Sequence, residues 1–223
     1  MPRKSARLTA GMLLLVLACI APAALASAGQ AMLQAIIDRQ PARVAILLDQ
    51  GVSPEAISRE GEYHGKSALM WAAETGQADI VRMLLQYGAV VDRGNPKGGT
   101  ALMYAAVSGH IECIEVLISA GADPNHRVRH GWSPLLLATA KGHVAAVRAL
   151  TGLGADPQTR DVYGWNLLMH ATDRADTAMM RTLIELGLDP QATDAAGINA
   201  LMLAERSNRP ELVALLKSAS PGN

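Results

Sequence analysis

The chain repeats itself every 33 residues. Gly65, Gly98, Gly131, Gly164 and Gly197 stand one such step apart, as do Leu69, Leu102, Leu135, Leu168 and Leu201, and again Gly88, Gly121, Gly154 and Gly187. A fixed period of this size describes a stack of small units. None can bury its apolar face alone, so a core forms only where neighbours meet. A stack of this kind has no closed pocket and offers a long surface for gripping another molecule.

Residues 98–125 serve as the type unit. Thr100 stands where a helix N-cap is needed, with Ser67, Ser133, Asn166 and Asn199 in the same slot, all residue types whose side chains accept from first-turn amides. A first helix over about Ala101–Ser108 carries the small pair Ala105-Ala106, which lets neighbouring helices approach. Gly109 suits a left-handed turn, as do Gly76 and Gly142. A second helix over about Ile111–Ala120 sets Ile111, Ile114, Leu117 and Ile118 on one stripe and stops at Gly121. Asp123-Pro124 predicts an extended exit, because proline lacks an N–H and restricts its predecessor.

These units resemble ankyrin repeats. Thr100-Ala101-Leu102-Met103, Ser133-Pro134-Leu135-Leu136 and Asn199-Ala200-Leu201-Met202 stand at the family's T-P-L-H site, and Gly109-His110 and Gly142-His143 at its G-H pair. The resemblance covers about residues 61–217 in five units, at about 61–93, 94–127, 128–160, 161–193 and 194–217. A degenerate capping unit at about 31–60 precedes them, where Met32–Ala35 and Leu47–Gly51 align at a step of 37. The fold implied is an all-α solenoid of stacked helix-turn-helix units with short β-hairpin fingers, one domain over 29–219 followed by a tail at 220–223. Departures are specific. The family histidine is Met or Leu in all five units, so apolar packing replaces its hydrogen bond. Unit five has Ala175-Asp176 in place of Gly-His, which predicts a looser or reshaped corner because alanine is poor in a left-handed turn. Unit six has Asn208-Arg209-Pro210, with Asn tolerating the turn and Pro suiting a first helical turn.

The N-terminus reads as a leader rather than as fold. Arg3, Lys4 and Arg7 precede the apolar run Leu8–Ile20, and small residues follow at Ala21–Ala28. That order describes a secretory signal peptide over 1–28, cleaved after Ala26 or Ala28. The apolar run is about 13 residues, against roughly 20 for a membrane-spanning helix. Leu15-Val16-Leu17-Ala18-Cys19 also resembles a bacterial lipobox, which would anchor the chain through a lipidated Cys19; a retained, uncleaved anchor is the third option. After cleavage the chain carries about three more acidic than basic side chains, too weak and mixed a balance for nucleic acid. Cys113 is then without a partner cysteine, and stability must come from stacked apolar faces.

No catalytic constellation emerges. His110 and His143 occupy structural slots, His64 and His170 are isolated, and His126 and His130 share a finger without the carboxylates or cysteines a metal site requires. Neither a phosphate-cradling glycine loop nor a hydrolase signature is present, and no cofactor is expected. Cys113 falls on an apolar helix position, which predicts an inert buried thiol. Met70, Met103, Met169 and Met202 share one core slot, so packing explains them better than copper binding or oxidant scavenging.

The finger tips carry the signal. Only seven aromatic residues occur in the chain, and Tyr63, Trp132, Tyr163 and Trp165 all flank finger glycines. Trp132 and Trp165 are repeat equivalents and are expected side by side. Ringed by Arg129, His130, Lys141 and Arg174, they resemble a protein-binding hot spot; the alternative is that the indoles pack on neighbouring fingers. In ankyrin proteins the fingers and the exposed face of the first helix hold partners. The resemblance therefore assigns binding to Tyr63, His64, Lys66, Arg129, His130, Trp132, Lys141, Tyr163, Trp165 and Arg174. Trp71 and Tyr104 are expected in the core or groove wall. The function expected is a non-catalytic, monomeric protein-binding module of the bacterial periplasm, with an unidentified protein partner, no nucleic acid and no membrane insertion after cleavage. Two other readings are an inhibitor or immunity protein neutralising a toxin or hydrolase, and an accessory protein in oxidative-stress defence.

Overall fold

A computed structural model describes residues 28–58 and 65–219. The expected leader and Cys19 lie outside the described residues apart from Ala28, as do Tyr63, His64 and the tail at 220–223. Twelve α-helices occur among the described residues. They are α1 (28–37), α2 (Pro41–Asp49), α3 (Ala68–Glu74), α4 (Ala78–Gln86), α5 (Ala101–Ser108) and α6 (Ile111–Ser119), followed by α7 (Pro134–Lys141), α8 (Val144–Gly152), α9 (Leu167–Arg174), α10 (Thr177–Glu185), α11 (Ala200–Arg206) and α12 (Pro210–Ala219). Odd-numbered helices from α3 to α11 stack on one another, even-numbered helices from α2 to α12 do the same, and each pair packs across the layers. The all-α repeat solenoid is therefore the architecture.

Each helix is too short to be stable alone. What holds it is the interlayer core, into which the periodic leucines point. Leu102, Leu135 and Leu168 are fully buried, as are Ala105, Ala106 and Ala138, whose small side chains let α3, α5, α7 and α9 lie close. Met70, Met103, Leu136 and Met169 are buried in the slot the family gives to histidine. The sulfur of Met70 also takes the N–H of Ser67 at 3.4 Å, so this slot is not wholly apolar. Met202, in the terminal unit, is exposed.

Ser67, Ser133, Asn166 and Asn199 cap their helices by accepting from Met70, Leu136, Met169 and Met202 amides at 2.9–3.2 Å. Thr100 does not: its buried hydroxyl makes no cap bond, and the extended backbone at this residue alone opens α5. The exits after the second helices are turns rather than extended segments. Asp123, Asp156 and Asp189 each accept from the amide two residues on, folding the chain over the proline.

The corner of unit five is not reshaped. Ala175 adopts φ 59°, ψ 34°, the left-handed conformation that Gly109 and Gly142 take at their corners. The same pair of closing bonds is made: His110 N–H to Ala105 carbonyl at 3.0 Å, and Asp176 N–H to Ala171 carbonyl at 3.1 Å. Asp176 then caps α10 through Met179 N–H at 2.9 Å. Bonds on both sides of the corner hold alanine in a conformation costing about 1 kcal/mol. Asn208 takes the same turn at φ 52°, and Pro210 opens α12.

A second device links the corners. Gln77, His110, His143 and Arg209 occupy one repeat slot. Each donates to a carbonyl at the end of the preceding first helix: Ile36 at 2.9 Å, Glu74 at 3.0 Å, Val107 at 2.9 Å and Thr172 at 2.6 Å. Unit five has Asp176 in that slot, and a carboxylate cannot donate. Arg174, two residues earlier, supplies the missing bond to Ala140 carbonyl at 3.0 Å.

Candidate functional site

The fingers are turns closed by one side chain. Asn95, Asp161 and Asp194 share a repeat slot, and in each the Oδ1 accepts from the amides two and four residues on, at 2.8–2.9 Å. Unit four has Val128 there and solves the turn differently. Arg129–Gly131 forms a short 3-10 turn with His130 at φ 66°. The His130 carbonyl then accepts Val162 N–H of the next finger at 3.1 Å. Such close stacking leaves no room at Gly164, where a Cβ would stand 2.9 Å from the Ala195 nitrogen. The expected hairpins reduce to isolated antiparallel bridges at Ile57–Ser67 and Arg160–Asn166, with no continuous strand among the described residues.

Between the fingers of units four to six and the ends of α7 and α9 lies an open cleft of about 940 Å³. Trp132, Tyr163 and Trp165 wall it on the finger side, and His170, Asp173 and Arg174 on the helix side. Trp132 and Trp165 do not simply stand side by side. His170 projects from α9 to meet both, its ring centroid 5.0 Å from that of Trp132 and 5.4 Å from that of Trp165, the second contact edge-on. Both indoles are half-buried by this packing, whereas Tyr163 is 66% exposed. The indoles thus pack within the finger row and also present surface to the cleft.

His170 is the residue that sequence reasoning missed. Its Nε2 lies 3.3 Å from Asp161 Oδ2 without the alignment of a hydrogen bond. Burial pushes its pKa below the usual value, and the nearby Asp161 carboxylate opposes this only in part. The imidazole is therefore neutral at pH 7, an aromatic wall rather than a cation. The signal was available: one and two repeats further toward the N-terminus from Leu137 stand Tyr104 and Trp71, in the slot His170 fills.

Several other placements differ from expectation. Lys66 is not a surface contact. Its side chain folds inward until the residue is 2% exposed. There the ammonium lies 3.8 Å from the Trp71 ring centroid and 4.6 Å from that of Tyr104, paired with the Glu74 carboxylate. Burial lowers its pKa and Glu74 raises it back in part. Arg174 does border the cleft, but its Nη1 is committed to Ala140 carbonyl. Arg129, His130 and Lys141 are exposed as expected yet stand outside the cleft lining. The charges that line it are mostly acidic, namely Asp161, Asp173 and Asp194. Apart from Arg174, the basic residues read as a ring from the sequence do not line the cleft, whose lining is mainly acidic and aromatic.

The isolated thiol behaves as a packing group. Cys113 is fully buried on α6, and desolvation pushes its pKa up to about 11, with Glu112 adding to the rise. His126 gives Nε2 to the Gly98 carbonyl at 2.9 Å and so joins two fingers. No group of three or more metal-binding side chains occurs among the described residues, and none of their helices is long and apolar enough to cross a membrane.

No significant match to a curated protein was found. A family model described as ankyrin repeats (3 copies) matches residues 13–95, 32–128, 90–161 and 137–222. Repeats of this family are generally protein–protein interaction modules and typically non-catalytic. With the period, the paired helices and the left-handed corners all in register, the chain belongs to the ankyrin repeat family.

Proposed function

We propose that the chain is a non-catalytic protein-binding module exported to the bacterial periplasm, and that it holds its partner in the cleft beneath the fingers of units four to six. One observation carries the reading. Three of the chain's seven aromatic side chains converge on a single open cleft of about 940 Å³. Tyr163 is largely exposed where the fold has no packing use for it. Aromatic side chains with a polar rim are the usual anchors of protein interfaces. Arg129, His130 and Lys141 form that rim and steer approach more than they add affinity. Tyr63 and His64 belong to this reading on the sequence alone. The periplasmic assignment is supported by the leader-like order of Arg3–Arg7, Leu8–Ile20 and Ala21–Ala28, and the chain is released as a soluble monomer unless Cys19 is lipidated.

The experiment is affinity capture from periplasmic extract with the parent chain beside a Trp132→Ala/Trp165→Ala variant of matched helicity. A protein held by the parent and lost by the variant places the site in the cleft; one held equally by both removes the site from it. Fractionation of Cys19→Ser tests the anchor: unchanged processing and solubility dispose of the lipoprotein form.

A further inference from the structure

Two stretches of the groove carry related arrangements, and only one holds its own cation against aromatic faces. Lys66 occupies the repeat slot that Trp132 and Trp165 occupy two and three units later. In its unit the ammonium is enclosed by Trp71 and Tyr104 and paired with Glu74. Three repeats on, His170 and Asp173 stand in the slots of Trp71 and Glu74. The aromatic faces now come from the fingers, as Trp132 and Trp165, with Tyr163 beside them. The carboxylate of Asp173 is joined in the lining by those of Asp161 and Asp194. The one permanently cationic side chain in the lining is Arg174, and it is bonded to Ala140 carbonyl. Arg160 is likewise tied to the carbonyls of Gly164 and Thr193, both at 2.8 Å, and is not part of the lining.

Indole faces attract cations through the ring quadrupole, most strongly where water is partly excluded. Three carboxylates at the edge of such a site add a negative potential that concavity focuses. The cleft has room for a long side chain and the peptide backbone that bears it. Arg129 and Lys141, exposed outside the lining, repel a run of basic residues, so a single basic residue with neutral or acidic neighbours fits best.

We propose that this cleft receives one arginine or lysine side chain from an exposed segment of the protein partner, its cation lying against Trp132 and Trp165 and balanced by Asp161, Asp173 and Asp194. The chain itself does the same thing with Lys66 two units away. This inference rests on the protein-binding reading above and adds the chemistry of what is bound.

The test uses the 15N-labelled full mature chain and three blocked pentapeptides of glycine with arginine, glutamine or glutamate at the centre. The arginine peptide is expected to shift the indole N–H signals of Trp132 and Trp165 while leaving that of Trp71 in place. The glutamine and glutamate peptides should leave all three unchanged. Asp173 is exposed, so Asp173→Asn keeps the fold, checked by circular dichroism, and should weaken the arginine peptide about two- to fivefold. Raising the salt from low to molar concentration should weaken it further. Equal shifts with the glutamine peptide, shifts confined to Trp71, or no shift into the tens of millimolar each overturn the proposal. If the Trp132→Ala/Trp165→Ala variant still loses a captured partner in that event, the cleft binds protein by other chemistry and only the cation inference fails. If the capture does not depend on those tryptophans, the broader reading fails with it.

Discussion

The groove of units two and three and the groove of units four to six solve one packing problem in opposite ways. In the first, the finger contributes Lys66 and the helices contribute Trp71, Tyr104 and Glu74, and the polar end is sealed inside the protein. In the second, the finger contributes Trp132 and Trp165, and the helix contributes the smaller His170, which fills only the space between them. The first arrangement is closed and serves stability. The second keeps its aromatic surface facing an open cleft. Exchanging which element brings the large apolar group and which brings the polar one is enough to turn a sealed joint into a receptor.

That contrast is breakable in order of effect. Glu74→Gln removes a carboxylate paired with a lysine whose side chain is 3% exposed, so a buried charge loses a counter-charge. Because Glu74 is itself one-third exposed, the loss should be about 1–3 kcal/mol, read as a lower denaturant midpoint. The equivalent Asp173→Asn in the open cleft should change stability by less than about 0.5 kcal/mol. A comparable loss at both positions would mean the two stretches are not different in kind.

The corners sharpen the comparison next. Ala175→Gly relieves a left-handed alanine and should gain about 0.5–1 kcal/mol. Gly142→Ala at the corner before it should lose about 1 kcal/mol or more, since its new methyl would meet the Arg174 guanidinium at 2.9 Å and the Asp176 carboxylate at 3.0 Å. Thermal melts of the two variants should therefore move in opposite directions.

The smallest effect concerns pH. His170 has a folded pKa below its unfolded one, so the unfolded chain binds the proton more readily. Its contribution to stability is complete above the unfolded value, near 6.5, and is lost as pH falls from there through the folded pKa. A melt at pH 5 should lie below one at pH 7.5, and His170→Gln should shrink that difference by about 1–2 °C. An unchanged difference would show that His170 titrates alike in both states.

Much of this molecule could be read from spacing. The 33-residue step gave the helix pairs, the left-handed glycines and the buried leucines, because each follows from backbone geometry that every unit must repeat. What spacing could not give was the direction in which a finger side chain turns. Lys66 and Trp165 share a slot, yet Lys66 is drawn inward by Trp71 and Glu74 on the helix that follows it. His170 looked isolated because histidines were compared by type; compared by slot, it stands in line with Trp71 and Tyr104. Ala175 shows the converse limit. Local preference spoke against its conformation, and the closing bonds of the neighbouring helices overrode it. The sign of the cleft's charge was hidden for a related reason: Asp161 and Asp194 act first as finger-closing acceptors, and only the assembled stack brings them to one wall.

The corner bonds have a consequence for how such a chain can change over time. Gln77, His110, His143, Arg174 and Arg209 bring the donor, and the acceptor in each case is a main-chain carbonyl. A carbonyl is there whatever residue precedes. A duplicated unit therefore arrives with its own fastening and finds a matching half in any neighbour, with no second substitution required. Lengthening or shortening the array leaves every remaining joint intact, and the finger tips are free to drift toward new partners while the joints that order them stay the same.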